Sequence, residues 1–323
     1  MKKLVQKLLK KIARAILKKF HPKIVAITGN VGKTGTREAI FCLLSSRFRC
    51  RQASGNYNNE LGVPLTVLGM ESPGKSILGW MRIFIRALRL LFWSDAKYPE
   101  ILVLEFAVDR PGDMDYLLEI VVPDVSVVTP VGETPVHLEF FENLDHFLEE
   151  KGKIVSRLPK EGLAILNYDD PNVRRMRSKT KARVLSYGLE AGADFYAHSF
   201  AVLPLKSDNE NLHGGLNFKL SFSGTTVPMR LPFVLSKFQA SACAAALACG
   251  RYFEMNLVDA GSALENYRPP KGRMNILAGI KNTILIDDSY NSSPKACAAA
   301  LEVFRELPAS HKIVVLGDMR ELG

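Results

Sequence analysis

A glycine-rich turn between an apolar run and a helix-like segment carries the strongest chemical signal in the sequence. It reads Thr28-Gly29-Asn30-Val31-Gly32-Lys33-Thr34-Gly35-Thr36 and follows the apolar residues 24–27. Glycines let backbone N–H groups close around phosphate oxygens, and a helix N-terminus adds positive potential. Lys33 can then reach the outer phosphates, and the Thr34 hydroxyl can bind Mg²⁺. The spacing from Gly29 is shorter than in the usual phosphate-binding loop. The strand, turn and helix order predicts nucleotide phosphate binding, and a plain structural turn is the alternative.

Three further side chains could act on a bound phosphate. Glu105 lies near the carboxyl end of the apolar run 101–107, where burial of a carboxylate is costly unless it is paired or binds a metal. That end of a parallel strand faces the ligand crevice of an α/β sheet. A salt-bridged structural glutamate is the alternative. His137 and Lys151 are weaker candidates, because a lone histidine is usually structural and a helix lysine is usually solvated.

Two polar segments complete the set of candidate ligand contacts. Residues 56–64 form a loop with an unusual density of amides, which also suits turns and caps. Residues 286–294 place acids and amides, among them Asp288 and Asn291, between a strand and a helix. Such a segment can bind ribose hydroxyls or cap the helix.

The elements that must position these residues alternate between apolar strands and helices. Strands are predicted over 24–28, 101–107, 125–129 and 163–167, and helices over 33–46 and 144–158. This alternation predicts an α/β fold with a mostly parallel sheet flanked by helices. Residues 193–231 change to short alternating stretches, which indicates a small antiparallel side sheet, and 236–253 indicate a helix.

A proline-rich linker separates this region from a second α/β unit. The linker covers residues 268–272, and the strands 283–286 and 312–316 flank a helix over 294–306. We therefore expect a basic helix over 1–21, a central domain over 22–268 and the beginning of a Rossmann-like domain over 269–323. Two strands and one helix cannot bury their faces alone, so they must pack on the first domain or belong to something longer.

Charge and cysteine content exclude several classes of protein. The 323 residues carry a net charge of +10, but residues 1–20 hold eight of the basic residues and no acid. The rest is nearly balanced, so no nucleic-acid partner is expected. Five cysteines without C-x-x-C spacing argue against a metal cluster or disulfide framework and suit a reducing cytoplasm. No membrane-spanning stretch or secretory signal is predicted.

Two amphipathic segments suggest contact with a membrane surface. Residues 1–20 combine helical apolar spacing with a lysine-rich face, and residues 76–93 carry Arg82, Arg86 and Arg89 on a highly apolar helix. Both could dock on an anionic bilayer at the inner face of the membrane. The alternative is that both helices pack against the protein or a partner.

Together these motifs resemble the Mur ligase family of ATP-dependent amide-bond synthetases. The matching stretches follow the family order and are 28–34, 56–66, 104–105, 137–141, 151–152, 166–171, 287–291 and 316–323. The last two favour the branch that adds D-alanyl-D-alanine to a UDP-MurNAc-peptide over its sister enzymes. The resemblance implies that ATP phosphorylates a substrate carboxylate and that an amine then attacks the acyl phosphate, giving an amide, ADP and phosphate.

The resemblance also implies residue roles. Lys33 would neutralise the outer phosphates, Thr34 and Glu105 would hold one Mg²⁺, and His137 would bind a second. Lys151 matches a family lysine that is carbamylated, which turns a cation into an anion that faces the metal. Lys33, His137 and Lys151 are therefore the expected catalytic residues.

The remaining expected roles concern the nucleotide. The loop residues Gly29 to Thr36 would hold the phosphates, with Arg273 close to them. Asp288 and Asn291 would contact the ribose and base.

Some family features differ in this chain. The loop departs at Asn30, Val31 and Gly35, the helix start 236–242 lacks the asparagines that contact adenine in the family, and Lys153 replaces an acid. The UDP-binding domain and most of the C-terminal domain have no counterpart, as expected of a truncated product or a reduced homologue. Two alternatives therefore stay open: another Mur-type ligase of the polyglutamate or amidating type, or a catalytically incomplete ATP-binding protein that docks to a membrane or partner.

Overall fold

The structure is a computed structural model that describes residues 2–132, 135, 137–208, 211–290 and 294–319. Its strands are β1 (Lys23–Thr28), β2 (Cys50–Gln52), β3 (Ile101–Glu105), β4 (Val125–Val128), β5 (Leu163–Asn167), β6 (Arg183–Gly188), β7 (Phe195–Asp208), β8 (Asn211–Phe222), β9 (Thr225–Leu231), β10 (Asn275–Ala278) and β11 (Ile284–Asp287). Its α-helices are α1 (Lys2–Phe20), α2 (Lys33–Ser45), α3 (Gly62–Leu68), α4 (Ile77–Phe92), α5 (Asp113–Ile120), α6 (Leu144–Ser156), α7 (Pro171–Arg174), α8 (Lys237–Tyr252), α9 (Leu257–Leu264) and α10 (Pro294–Glu306).

Nine of the described strands form one sheet in the order β2-β3-β1-β4-β5-β6-β7-β8-β9. The first seven strands in this order, from β2 through β1 to β7, pair in parallel with their neighbours. This confirms the predicted fold class. Ile27 on β1 lies opposite Glu105 on β3, and Thr28 lies opposite Val128 on β4. The carboxyl ends of these three central strands therefore meet at one edge of the sheet, where an α/β fold binds its ligands.

The antiparallel strands continue this sheet. Residues Tyr187 and Gly188 on β6 pair in parallel with the start of β7, and β8 and β9 then follow as antiparallel neighbours. The region that the sequence indicates as a small side sheet is thus an extension of the main one. A separate two-stranded antiparallel sheet is formed by β10 and β11.

Alternation along β1 divides the core into two apolar layers. Val25 and Ile27 point into a layer with α2, α8 and α9, whereas Ile24 and Ala26 point into a layer with α1, α3, α4, α5 and α6. Both faces of the sheet are therefore covered by helices, as its apolar strands require. The alanine-rich α8 packs closely on α2, and Gly250 allows this approach beside Leu43.

The start of the second unit packs on the end of the first. Leu235, Met274 and Leu307 form a small apolar cluster that joins this unit to the main sheet. The strand expected over 312–316 is wrong: these residues pair with no strand in the described part of the chain, and Ile313 is 83% exposed. An apolar run forms a strand only when its backbone pairs with a neighbouring strand, and among the described strands β10 and β11 pair only with each other here.

The N-terminal helix α1 packs against the protein. Its apolar positions Leu9, Ala13 and Ile16 are fully buried, and its nearest neighbours are α3, α4 and α5. Across the described residues, no helix combines the length and apolar character needed to cross a membrane.

Candidate functional site

The glycine-rich loop after β1 is fixed to the neighbouring strand end. Gly29 has φ +138°, and an added Cβ would lie 2.1 Å from Oγ1 of Thr129, so no side chain fits there. The N–H groups of Asn30 and Val31 both donate to the carbonyl of Pro130, at 2.9 and 3.0 Å. The loop therefore has a defined shape, although these two amides face the protein rather than a ligand.

The N-terminus of α2 opens toward the site. Gly32 is its N-cap at φ 84°, and it offers no side chain to the first N–H groups of the helix. These groups and the helix dipole suit an anion such as phosphate. Thr36 differs from the expectation: it is 2% exposed, and its N–H already donates to the Gly32 carbonyl at 2.9 Å.

Lys33 folds back over the loop. Its Nζ donates to the carbonyls of Gly29 and Asn30, both at 3.1 Å. Burial lowers the pKa of Lys33, the charges of Glu105 and Asp109 oppose this shift, and the charge of Arg273 adds to it. Lys33 thus lies within electrostatic reach of two carboxylates and a guanidinium.

Glu105 ends β3 and is only 4% exposed. Its Oε2 accepts from Oγ1 of Thr34 at 3.2 Å and from Nη1 of Arg37 at 3.4 Å, and its Oε1 accepts from Nδ2 of Asn58 at 3.1 Å. Asn58 belongs to the amide-rich loop, which therefore reaches the site. The salt-bridged alternative for Glu105 also holds, because Arg37 is its buried partner. The carboxylate is paired and still borders the open end of α2.

The oxygens of Thr34 and Glu105 suit a magnesium ion. Adjacent ligands of octahedral Mg²⁺ lie about 3 Å apart, given bonds of about 2.1 Å. The two oxygens are 3.2 Å apart, so one ion could bind both after a small shift. Within the described ranges, no three His, Cys, Asp or Glu side chains cluster as a metal cage. This donor set fits a Mg²⁺ that phosphate oxygens and water complete.

A second group of candidate residues, Asp109 and His137, lies in the loops that follow β3 and β4. Nε2 of His137 is 3.5 Å from Oδ1 of Asp109, with 41% and 57% of the side chains exposed. His137 adopts φ 69°, and its ring stacks on Phe140. Sequence analysis missed Asp109, although its position four residues after Glu105, beyond the strand end, could have indicated it.

Lys151 is the buried member of this second group. It is 2% exposed on α6, with Nζ 3.5 Å from the carbonyl of Val108 and 4.6 Å from the ring centre of Phe147. Burial, assisted by the charge of Lys33, lowers the pKa of Lys151 to about 7, and Asp109 opposes the shift. The solvated-lysine alternative is therefore wrong, and a neutral amine is available near neutral pH.

Arg273 and Asp288 lie together at the start of the second unit. Oδ1 of Asp288 accepts from the Met274 N–H at 3.0 Å, and burial raises the pKa of Asp288. The Arg273 guanidinium lies 4.5 Å from the ring centre of Tyr290, whose hydroxyl accepts from Nδ2 of Asn56 at 2.9 Å. The second unit thus contacts the amide-rich loop beside the site. Asn291 lies outside the described residues.

The altered helix start has a structural role. Ser236 caps α8, and Gln239 completes a capping box with it. Nε2 of Gln239 also donates to the Arg273 carbonyl at 2.8 Å. The position that differs from the family therefore ties α8 to the segment that carries Arg273.

Comparison with known proteins agrees with this geometry. Residues 83–250 match the Mur ligase middle domain, and residues 272–323 match the Mur ligase glutamate ligase domain. The first match covers more than half of the chain, so the chain belongs to the Mur ligase family. The resemblance that the motifs indicate is confirmed.

Three similar proteins show how much of a relative the chain covers. The chain is 27% identical over 316 residues to the UDP-N-acetylmuramoyl-tripeptide–D-alanyl-D-alanine ligase of Bacillus subtilis, a match that covers 98% of the chain and 60% of that protein. It is similar to MurF from Acinetobacter baumannii (TM-score 0.74, 26% identity, 94% of this chain and 58% of that one). It is also similar to MurF ligase from Thermotoga maritima in complex with ADP (TM-score 0.71, 27% identity, 94% and 61%). The chain thus spans about 60% of the length of these relatives.

Proposed function

We propose that the chain binds ATP at residues 28–36 and uses it to join a carboxylate to an amine. The observation that carries the proposal is the 3.2 Å contact between Thr34 and Glu105, beside Lys33 and the open N-terminus of α2. A hydroxyl, a carboxylate and a lysine at one helix start are the groups that phosphoryl transfer requires, because that reaction depends on positioning and charge neutralisation.

The reaction has two steps. A substrate carboxylate oxygen attacks the γ-phosphorus of ATP, the bond to the β-phosphate oxygen breaks, and ADP leaves. The amine nitrogen then attacks the acyl carbon, loses a proton, and expels phosphate as the amide forms. Lys33 leaves the Gly29 and Asn30 carbonyls and neutralises the outer phosphates, while the first N–H groups of α2 hold them.

The other residues act on charge around the transferred group. When bound at Thr34 and Glu105, Mg²⁺ supplies positive charge to the phosphate oxygens. His137 contacts Asp109, and Lys151 contacts the carbonyl of the preceding Val108; these residues would hold a second ion if Lys151 carries a carbamate. The neutral amine that burial favours in Lys151 is the form that can react with carbon dioxide. Arg273 and Asp288 would face the nucleotide.

The substrates we propose are a UDP-MurNAc-peptide and D-alanyl-D-alanine or a similar amine, in peptidoglycan precursor assembly in the cytoplasm. Support comes from the names of the relatives, which are ligases for this pair. The same proposal divides the chain into a basic helix over 1–21, a central ATP-binding domain over 22–268 and the beginning of a second domain over 269–323. The last segment would present the amine.

The test is release of ADP and phosphate from ATP by the intact chain with both substrates. We expect turnover that requires Mg²⁺ and both substrates, and loss of turnover in Lys33→Ala. Amide product is identified by mass spectrometry. Turnover that is unchanged in Lys33→Ala would remove the assignment of residues 28–36.

A second candidate is ATP binding without ligation, or ligation of another acid and amine. The observation that favours it is the contact of Gln239 with the Arg273 carbonyl, since the helix start that contacts adenine in the family is engaged with the protein here. Tight ATP binding without turnover for any of several amino-acid or glutamate acceptors would support binding alone, and turnover with one of these other acceptors would support a different ligation.

A further inference from the structure

The outward face of α4 is apolar and uncovered. Its opposite side is buried through Ile83, Ala87 and Leu90, as expected of a helix that packs on a core. The outward side carries large apolar side chains that are 48–78% exposed: Ile77, Leu78, Met81, Ile85, Leu88 and Phe92. Exposed apolar side chains that share one helix face mark an interaction site rather than a random surface.

Basic residues border this face. Arg82 and Arg89 are exposed and, among the described residues, form no ion pair, whereas Arg86 pairs with Asp95 at 3.0 Å. The helix contains no acidic residue. At 100° per residue, Arg82 and Arg89 fall directly beside the apolar stripe. The face is thus apolar along its centre and positive along one border.

Helix α1 supplies further positive charge next to α4. Nζ of Lys19 donates to the carbonyls of Leu90, Leu91 and Trp93, at 3.0, 3.1 and 2.7 Å, so the C-terminal ends of the two helices are joined. The apolar residues Leu9, Ala13 and Ile16 of α1 are buried in the protein, whereas its exposed side is basic and also carries Leu4 and Leu8. The exposed basic residues are Lys7, Lys11, Arg14, Lys18 and Lys19.

Both tryptophans of the chain flank this face. Trp80 lies in the first turn of α4, and Trp93, which is 64% exposed, follows its last residue. Near the C-terminal end, Ile85, Leu88, Arg89 and Trp93 line a hollow of about 550 Å³. Tryptophan and arginine beside an apolar stripe are typical of helices that lie in the headgroup region of a bilayer.

We propose that the outward face of α4 docks on an anionic lipid bilayer, with the exposed side of α1 over the headgroups. The apolar stripe enters the acyl boundary, and Arg82, Arg89 and the lysines of α1 lie among the anionic groups. A second copy of the chain would bring like charges together across a two-fold interface, which opposes that occupant. The docking surface is therefore α4 supported by α1, rather than α1 inserted on its own. It stands independently of the proposed ligase activity.

Vesicle binding followed by tryptophan fluorescence tests this surface directly, because Trp80 and Trp93 are the only tryptophans. We compare vesicles of phosphatidylcholine alone with vesicles in which about a third of the lipid is phosphatidylglycerol. The expected result is co-flotation and a blue shift with the anionic vesicles, weakened by salt. Ile85→Glu/Leu88→Glu should bind at least about tenfold more weakly, since it places charge in the apolar stripe.

Two control variants separate docking from misfolding and from general charge. Val258→Glu changes an equally exposed residue, 60% exposed on α9 and on the other face of the sheet, and should bind like the parent chain. Lys11→Gln/Lys18→Gln should lose the preference for anionic lipid but keep part of the blue shift. Far-ultraviolet circular dichroism and ATP binding, measured on every variant, should stay unchanged.

Three results would overturn the proposal. They are absence of binding by the parent chain, equal binding by Ile85→Glu/Leu88→Glu, and a dimer in solution that this double variant dissociates. The last would assign the face to a second copy. A chain that binds vesicles but not ATP would refute the proposed function alone, and the converse would refute only the docking surface.

Discussion

The two halves of the candidate site are held in different ways. Thr34 and Glu105 lie at the ends of regular elements, and parallel strand register places Glu105 opposite Ile27, two residues before Gly29 begins the loop. Asp109 and His137 lie in loops, are about half exposed, and approach each other only to 3.5 Å. The first half is fixed by pairing between strands, whereas the second is held by local turn hydrogen bonds, from the Asp109 N–H to Asp113 at 3.0 Å and from the Phe140 N–H to the His137 carbonyl at 3.2 Å. We therefore expect the first half to determine nucleotide binding and the second to affect mainly turnover.

Lys151 gives the largest expected change, and it concerns stability. Its pKa is about 7 in the folded chain, against 10.5 for a fully solvated lysine, so between these values the unfolded chain binds more protons. Stability should rise with pH through this window, and the charged amine should be most destabilising below pH 7. Lys151→Met should stabilise the chain at pH 6, by at most about 5 kcal/mol, and less as the pH rises toward 10.

Chemical denaturation at several pH values measures this effect. Lys153→Met is the matched control two residues along. Lys153 has a raised pKa because Asp115 and Glu150 accept from it, both at 2.6 Å, so its loss should destabilise the chain. A Lys151→Met chain that is less stable than the parent at pH 6 would contradict the assignment of a buried, neutral amine.

Lys33→Ala should weaken ATP binding by at least about 100-fold, since it removes the cation nearest the outer phosphates. Calorimetric titration with ATP and Mg²⁺ measures the loss. Folding should be unaffected, because burial already disfavours this charge. Lys160→Ala, at an exposed position, is the control. Equal affinity in both variants would show that nucleotide binding does not depend on the first half of the site.

Glu105→Gln should lower the Mg²⁺-dependent part of ATP affinity by about tenfold, because an amide oxygen binds Mg²⁺ more weakly than a carboxylate. It should also cost about 1–3 kcal/mol of stability, since the buried Arg37 loses one of its two ionised partners and keeps only Glu38. Glu100→Gln, one residue before β3, is the control. ATP affinity compared with and without Mg²⁺ separates the two effects, and a loss that is independent of Mg²⁺ would argue for a purely structural glutamate.

Asp109→Asn should have the smallest effect. The side chain is 57% exposed, so ATP affinity should change by less than about twofold. Turnover should fall by about three- to tenfold if Asp109 positions His137. Glu139→Gln, an exposed change in the adjoining turn, is the control for general charge. A large loss of ATP affinity in Asp109→Asn would contradict the expectation that only the first half of the site determines nucleotide binding.

The sequence indicates which residues meet in the first half of the candidate site. Apolar runs ended by glycine or by an acid define β1 and β3, and parallel pairing brings such strand ends together without further information. The sequence does not predict the partners of Glu105, because Arg37 and Asn58 reach it only through tertiary packing. The pKa of Lys151 also depends on packing, since the residues that bury it are distant in sequence. The apolar residues 312–316 look like a strand in sequence, but strand formation requires an edge that no local pattern can supply.

The α1 and α4 helices illustrate the same limit. Both are amphipathic, so the sequence alone makes each of them a candidate for contact with a membrane. The fold buries Leu9, Ala13 and Ile16 of α1 and leaves Ile85 and Leu88 of α4 exposed. Which apolar face stays exposed depends on where each helix packs on the sheet, and the pattern within one helix does not give that position.

The shared acceptor at Pro130 has a kinetic consequence. Since one carbonyl holds the N–H groups of both Asn30 and Val31, the backbone of the loop is already ordered before any nucleotide arrives. Ordering it adds nothing to the entropy cost of association, and only the Lys33 side chain has to rotate away from its two carbonyls. Nucleotide capture should therefore proceed in a single phase whose rate rises linearly with ATP concentration, without a slow rearrangement that sets a ceiling.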